Sequence, residues 1–395
     1  MRRLFVILLS AALLHGGLMF AQDGYGFTDV KVLPVTPVKD QNRSGTCWAF
    51  SGIGFLEAEM LRKGKPEVDL SEMFIVWHTY MEKAEKTVRM HGHLNFSGGG
   101  AFHDVTEMIK KYGIVPEQVY TGLNYGEEKH VHGELDELMK TNVEAIVENK
   151  NRKLSPVWKT PVQGILDAYL GEIPQSFDYQ GKTYTPQQFA KDYVGLNMDD
   201  YVEISSFTHH PFYEKFILEI PDNWMWGAMY NVPIDELMAI IDNAIDKGYP
   251  VAWASDVSER GFNTSAVGIA IVPDADIAEM SDAEIAKWET LTAAQKENEL
   301  YKFDKPRKEK NIDQQMRQEA FDNYQTTDDH GMIIFGTATD RDGGHYYKVK
   351  NSWGPYNARN GCFYASKAFV RYKTMDIMVH KDAIPKNIRK KLKID

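Results

Sequence analysis

Gln41-Asn42-Arg43-Ser44-Gly45-Thr46-Cys47-Trp48-Ala49-Phe50 sets one of the chain's two cysteines at the head of an apolar run. Helical spacing begins at Trp48 and continues through Ile53, Leu56, Met60 and Leu61, until Lys63-Gly64-Lys65-Pro66 ends it. Cys47 therefore stands at a helix start, where the positive end of the helix dipole favours a thiolate. Gly45 gives the backbone freedom to turn sharply into that helix. Upstream, Gln41 offers a side-chain N–H to an oxyanion forming beside the sulfur. A cysteine before an apolar run is also what a small buried hydrophobe looks like. The reading turns on whether the rest of the chain supplies a base.

A thiolate nucleophile needs an imidazole beside it and a third group to orient that ring. β signals cluster late in the chain, over 332–337, 346–351 and 361–366, with Gly343-Gly344 as a turn. His330 opens the first of these strands and Asn351 closes the second. A hairpin would set the two side chains next to each other. The neutral Asn351 amide can then accept from the ring N–H and fix its tautomer, with Trp353 shielding that bond.

Outward from these anchors, residues 22–37 read as an extended arm and Ser71 as the N-cap of a second helix through Trp77 and Met81. Gly98-Gly99-Gly100 breaks the chain before a third helix over 102–112. Residues 121–210 carry no chemical signature and read as an insertion that shapes or covers a cleft, with helices over 134–149 and 161–170 and a hairpin over 180–185. Beyond it come a helix over 233–247, a buried strand over 251–255 and a charged helical excursion over 274–325. The expected organisation is a signal peptide at 1–21, an arm and helical lobe at 22–120, the insertion at 121–210 and a β-rich lobe at 211–395. The fold class is α+β, with helices and strands segregated.

Composition narrows the classes. A 43% hydrophobic, 26% charged chain is globular, and a net charge of -11 argues against general nucleic-acid binding. Arg2 and Arg3 followed by the mostly apolar stretch 4–20 form an export signal, with the cut expected after Ala21, so the mature protein is expected to be periplasmic or secreted and without a membrane span. Two cysteines make no disulfide framework, and their contexts argue against pairing Cys47 with Cys362. No cofactor is implied. His91/His93 and His209/His210 lack a helix-face spacing or a companion carboxylate, so no metal is expected. Asp340-Arg341-Asp342-Gly343 reads as a hairpin turn.

Taken together, Gln41 with Ser44-Gly45-Thr46-Cys47-Trp48-Ala49-Phe50, then His330-Gly331-Met332, then Lys350-Asn351-Ser352-Trp353-Gly354, resemble the papain superfamily of cysteine peptidases. Leu70-Ser71-Glu72, Ser97-Gly98-Gly99, Pro233 to Leu237 and Gly248 to Trp253 are similar, in the same order, to segments of its bleomycin hydrolase or bacterial aminopeptidase C branch. The resemblance implies a two-lobed fold with a helical lobe and a β-barrel-like lobe. It implies Cys47 as the nucleophile forming a thioester, His330 as its ion-pair partner and acid, Asn351 as the orienter, and Gln41 with the Cys47 N–H as the oxyanion hole. Gly98 and Gly99 would line the cleft and pair with an extended peptide substrate. Hexamer formation, and a C-terminal arm that caps the cleft for aminopeptidase action, are further implications. Two features depart from the pattern. Ser44 stands where the local signature has a cysteine, and the stretch from Val379 to Pro385 resembles the lead-in to an arm that then ends short. Amino-end trimming and internal cleavage both stay open, as do a non-catalytic peptide binder and another Cys-His acyltransferase.

Overall fold

The structure, a computed structural model, describes residues 24–275, 277 and 280–395; the export signal expected over 1–21 lies outside the described residues. Its organising element is the helix α1 (Cys47–Arg62), which is buried all round from Trp48 to Met60 rather than on one face. The reason is that α1 touches helices and sheet at once. It meets α2 (Glu72–Arg89) and α3 (Phe102–Tyr112) as well as two strands of the main sheet.

Full burial forces the helix's own acids to find partners, because a lone buried carboxylate is costly. Glu57 accepts from the Thr36 hydroxyl at 2.6 Å, the Leu70 N–H at 2.9 Å and Lys39 Nζ at 2.9 Å. Lys39 also donates to Glu72 at 2.7 Å. Glu59 holds Arg62 through two bonds, at 2.6 and 2.7 Å. The helix is thereby tied to the arm in front of it and to α2 behind it.

Ser71 caps α2 as its sequence position suggests, its hydroxyl accepting from the Phe74 N–H at 3.1 Å. Two further helices, α4 (Gly133–Val147) and α5 (Lys159–Leu170), pack on α2 and on each other. A small hairpin follows, β2 (Phe177–Tyr179) and β3 (Lys182–Tyr184), turning at Gln180-Gly181, which both have positive φ (49° and 78°). That is the two-residue turn that matches strand twist.

The main sheet has eleven strands. They are β1 (Thr28–Val32), β4 (Tyr201–Ser205), β5 (Lys215–Ile217), β6 (Ala228–Asn231), β7 (Val251–Ser255), β8 (Phe262–Asn263), β9 (Ile269–Ala270), β10 (His330–Thr339), β11 (His345–Lys350), β12 (Cys362–Ser366) and β13 (Thr374–His380). The order β5-β6-β4-β13-β7-β10-β11-β12-β9-β8 is an open path, with β1 joined to β10. The pairs β4/β6 and β9/β12 are parallel and the rest antiparallel, so the sheet is mixed. The first half of β10 pairs with β7, and its second half with β1 from the arm. The sheet also takes in β4, from the stretch that reads in sequence as an insertion.

At the coarser level the expected class holds: a mixed α/β protein, helices leading and a large mixed sheet following. Within the charged excursion, the helices Asp282–Thr290 and Ala293–Leu300 bury no residue, whereas Gln314–Asp322 buries Arg317. Among the described residues no helix is long and apolar enough to cross a membrane.

Lys39 is the cation that joins Glu57 and Glu72, whose side chains are 0% and 3% exposed. Lys39→Met leaves both carboxylates without it and is expected to destabilise the fold by about 3 kcal/mol in urea unfolding. An unchanged midpoint would show that the cluster carries no net stability.

Candidate active site

Cys47 is the first residue of α1, and the Thr46 side chain makes no capping bond. The Trp48 N–H of the first turn is therefore free to interact with the sulfur, and it does so together with the Gly331 N–H of β10. Gly331 follows His330 in the strand, so the seating of α1 on β10 sets Cys47 beside the residue next to His330.

The approach to the helix uses Gly45 differently from the sequence expectation. Gly45 is not among the residues with positive φ; the left-handed residue of this turn is Asn42, at 49°. Gly45 instead packs on Gly98, where even a Cβ would make an ordinary contact, 3.5 Å from the Cα of Gly98. Trp48 Nε1 donates to the Gly98 carbonyl at 2.9 Å. Lys83, 2% exposed, donates to the carbonyls of Ser97 (2.8 Å) and Gly99. Gly98 and Gly99 are thus held against the nucleophile loop. Ser44 is hydrogen-bonded, its hydroxyl donating to the Gln41 carbonyl at 2.9 Å, and both Cys47 and Cys362 are free thiols.

Gln41 is held at both ends. Its Oε1 accepts from the Ser352 hydroxyl at 2.6 Å and its Nε2 donates to the Ser44 carbonyl at 2.9 Å. An amide nitrogen has two hydrogens, so the second remains for an oxyanion. The Gln41 N–H donates to the Ser352 carbonyl at 2.8 Å, and the Gly354 N–H to the Lys39 carbonyl at 2.9 Å. The loop before Cys47 is in this way stitched to the loop after Asn351.

The His330–Asn351 pair forms as the hairpin suggests, with Nε2 to Oδ1 at 2.7 Å. The surroundings decide the tautomer. Asn351 Oδ1 also accepts from the Ser352 N–H at 2.7 Å, which can only donate, while Asn351 Nδ2 donates to the Tyr356 hydroxyl at 3.1 Å. A flipped amide would set Nδ2 against the Ser352 N–H, two donors facing each other, so Oδ1 faces the ring, Nε2 carries the proton and Nδ1 is the basic nitrogen. Trp353 stacks on the imidazole with centroids 4.6 Å apart.

Burial disfavours either charge by itself. It pushes the Cys47 thiol up to about 12 and the His330 imidazole down to about 4, against the support of Asn351. A thiolate and an imidazolium formed together would each counter the other's charge, and the pair would titrate as a unit. Two carboxylates oppose the thiolate, Asp328 and Asp222. Asp328 is itself pushed up to about 8 by burial and by Asp222, Asp329 and Glu203. The sequence reading picked out neither acid. Asp328 stands two residues before His330, which is its only local signal; Asp222 has none. Ser352 and Tyr356 were likewise not singled out as supports for Gln41 and Asn351.

His209 and His210 do meet a carboxylate, which corrects the expectation that no companion acid exists. Glu219 is shared by their Nε2 atoms at 3.0 and 2.7 Å. The amide of Gln318 accepts from the Thr208 N–H at 2.6 Å through Oε1, so its Nε2 donates to His209 Nδ1 at 3.0 Å. His209 must then carry its proton on Nε2, the atom a metal would need bare. The cluster is a hydrogen-bonded one.

Asp328 is neutral well below its raised value and negative above it. Asp328→Asn is therefore expected to speed alkylation of Cys47 by iodoacetamide above about pH 8 and to leave the rate unchanged at clearly lower pH. A pH–rate profile of labelling checks this; superimposable curves would place Asp328 too far from the sulfur to matter.

Comparison with known proteins gives the family of the chain. Aminopeptidase C from Lactococcus lactis subsp. cremoris is 23% identical over 384 residues, covering 88% of this chain and 81% of that protein. Aminopeptidase G from Lactobacillus delbrueckii subsp. lactis is 22% identical over 394 residues, covering 90% and 83%. The crystal structure of PepW from Lactobacillus rhamnosis superposes with a TM-score of 0.68 at 21% identity, covering 93% of this chain and 84% of that one, and shares the fold. Residues 27–272 and 281–395 match the model of the Peptidase C1-like family, to which the chain therefore belongs.

Proposed function

We propose that this cysteine peptidase cleaves peptides through a thioester on Cys47 and acts as an aminopeptidase. The observation that carries the reading is the locked tautomer of His330. With Nε2–H committed to Asn351 Oδ1 at 2.7 Å, the ring's remaining lone pair is at Nδ1, available to the thiol at the head of α1. Cys47 gives its proton to Nδ1 and attacks the scissile carbonyl. The oxyanion takes the spare Gln41 N–H and the Cys47 backbone N–H, and the imidazolium returns the proton to the leaving amine. Water then hydrolyses the thioester, with His330 as base.

In this reading the chain has two lobes, the helices α1 to α5 with Cys47 in one and the sheet with His330 and Asn351 in the other, and substrate lies between them. The aminopeptidase part rests on the names of the relatives, the Lactococcus and Lactobacillus aminopeptidases. Export remains part of the proposal, on the basic and apolar start of the chain. Amino-terminal sequencing of the protein from its natural host is expected to begin at Gln22; a chain beginning at Met1 would remove the export reading.

Cys47→Ala is expected to abolish hydrolysis of a peptide library while leaving the fold intact by circular dichroism. Activity that persists would exclude Cys47 as the nucleophile. In the same assay Gln41→Ala should lower kcat by about 100-fold with little change in KM, because its donor acts on the oxyanion rather than on bound substrate.

A further inference from the structure

The loop between β5 and β6 reaches across to the helices. Asn223, 3% exposed, ties the loop to itself, donating to the carbonyls of Leu218 and Gly227 at 3.1 Å each. Trp224, 2% exposed, donates to Asp104 at the start of α3 at 2.7 Å. Lys86 of α2 donates to the Met225 carbonyl at 2.8 Å. Between these anchors Asp222 is laid on Gly99: a Cβ added to that glycine would come within 2.0 Å of Asp222 Oδ2. Its neighbour Gly98 abuts Gly45, two residues before the nucleophile, and the Asp222 charge is felt at the Cys47 sulfur. The carboxylate thus occupies the bare-backbone edge along which an extended peptide would run.

A peptide seated on Cys47 and following Gly98-Gly99 runs into this carboxylate. A chain cannot pass through it, so what fits is a chain end, and the end complementary to a carboxylate is an ammonium. The balance of charge points the same way. Among the described residues the hydrogen-bond donor to Asp222 is the neutral Asn95, at 3.2 Å. The nearby Lys83 gives its bonds to the Ser97 and Gly99 carbonyls, so its charge acts on Asp222 without a direct bond. Asp328, on the His330 side, has no hydrogen-bond partner among the described residues and interacts with Asp222 and with Cys47. Asp328 acts in turn on Asp376, which is 3% exposed and whose Oδ1 is buried without a partner. His103 and Arg317 offset the charge of Asp376, but Asp222 and Asp328 have no direct ion-pair partner among the described residues, which leaves room for a cation from outside.

We propose that Asp222 receives the α-ammonium of the substrate's first residue, with Asp328 adding to the same negative field, so that the loop 218–227 both closes the cleft and selects free amino ends. This rests on Cys47 being the nucleophile. The test compares a peptide with its N-acetylated form, cleaved by the wild type and by Asp222→Asn, with Cys47 counted by an epoxide thiol probe. The wild type should cleave the free peptide at least about 30-fold better in kcat/KM, the scale of losing one partner of a buried charge pair. Asp222→Asn should lose most of that preference, chiefly through KM, while still binding one equivalent of probe and melting cooperatively. A wild type that cleaves both peptides equally overturns the proposal, and that arm does not depend on the variant folding. So does a variant that keeps the preference. If neither peptide is cleaved by a wild type whose Cys47 reacts only slowly with the probe, the peptidase reading fails and takes this proposal with it; a wild type that labels fast and cleaves both peptides equally overturns the role of Asp222 alone.

Discussion

The seating of α1 on β10 is the constraint from which the rest of the site follows. A helix buried on every side cannot slide or rotate without undoing contacts with α2, α3 and the sheet together, because close-packed interiors have few alternative arrangements. The head of such a helix is a fixed point. Cys47 occupies it, and the strand beneath supplies His330 and the Gly331 N–H. The ion pairs inside the helix extend the constraint outward. Glu57 binds Lys39 and Thr36 of the arm, and Lys39 continues to Glu72 of α2. Two residues after Lys39 comes Gln41, so the cluster that ties down the helix also sets the position of the Gln41 amide.

The stitching of loop 39–41 to loop 352–354 couples the two halves of the chemistry. Ser352 holds Gln41 through its hydroxyl and carbonyl, and through its N–H it fixes the Asn351 amide that orients His330. One residue thereby positions both the Gln41 amide and the His330 ring. Preorganisation of this kind matters because dipoles already in place need not rearrange as charge develops.

The electrostatics of the site come from burial and from a few nearby acids rather than from the net charge of -11. Desolvation opposes separate charges on Cys47 and His330 and favours their joint appearance or joint absence. Asp222 and Asp328 both oppose the negative charge of a Cys47 thiolate. The Gly98-Gly99 edge is open backbone by composition, and Asp222 of the loop 218–227 lies directly on Gly99.

Much of this was legible in the amino-acid order because it is local. The start of α1 follows from apolar spacing, the cap of α2 from Ser71, the small hairpin from Gln180-Gly181, and the meeting of His330 with Asn351 from two strands and a turn. Such features depend on residues a few positions apart, whose period and turn chemistry can be read directly. The tertiary structure alone decided the rest. It buried α1 on all sides, put the left-handed residue of the turn at Asn42 rather than Gly45, drew β1 and β4 into one sheet, gathered His209 and His210 around Glu219, and laid Asp222 on Gly99. Asp222 and Gly99 lie far apart in the chain, and no period or motif connects them. Their contact is set by where the packed helices and the sheet allow a loop to land, which is a property of the assembled fold.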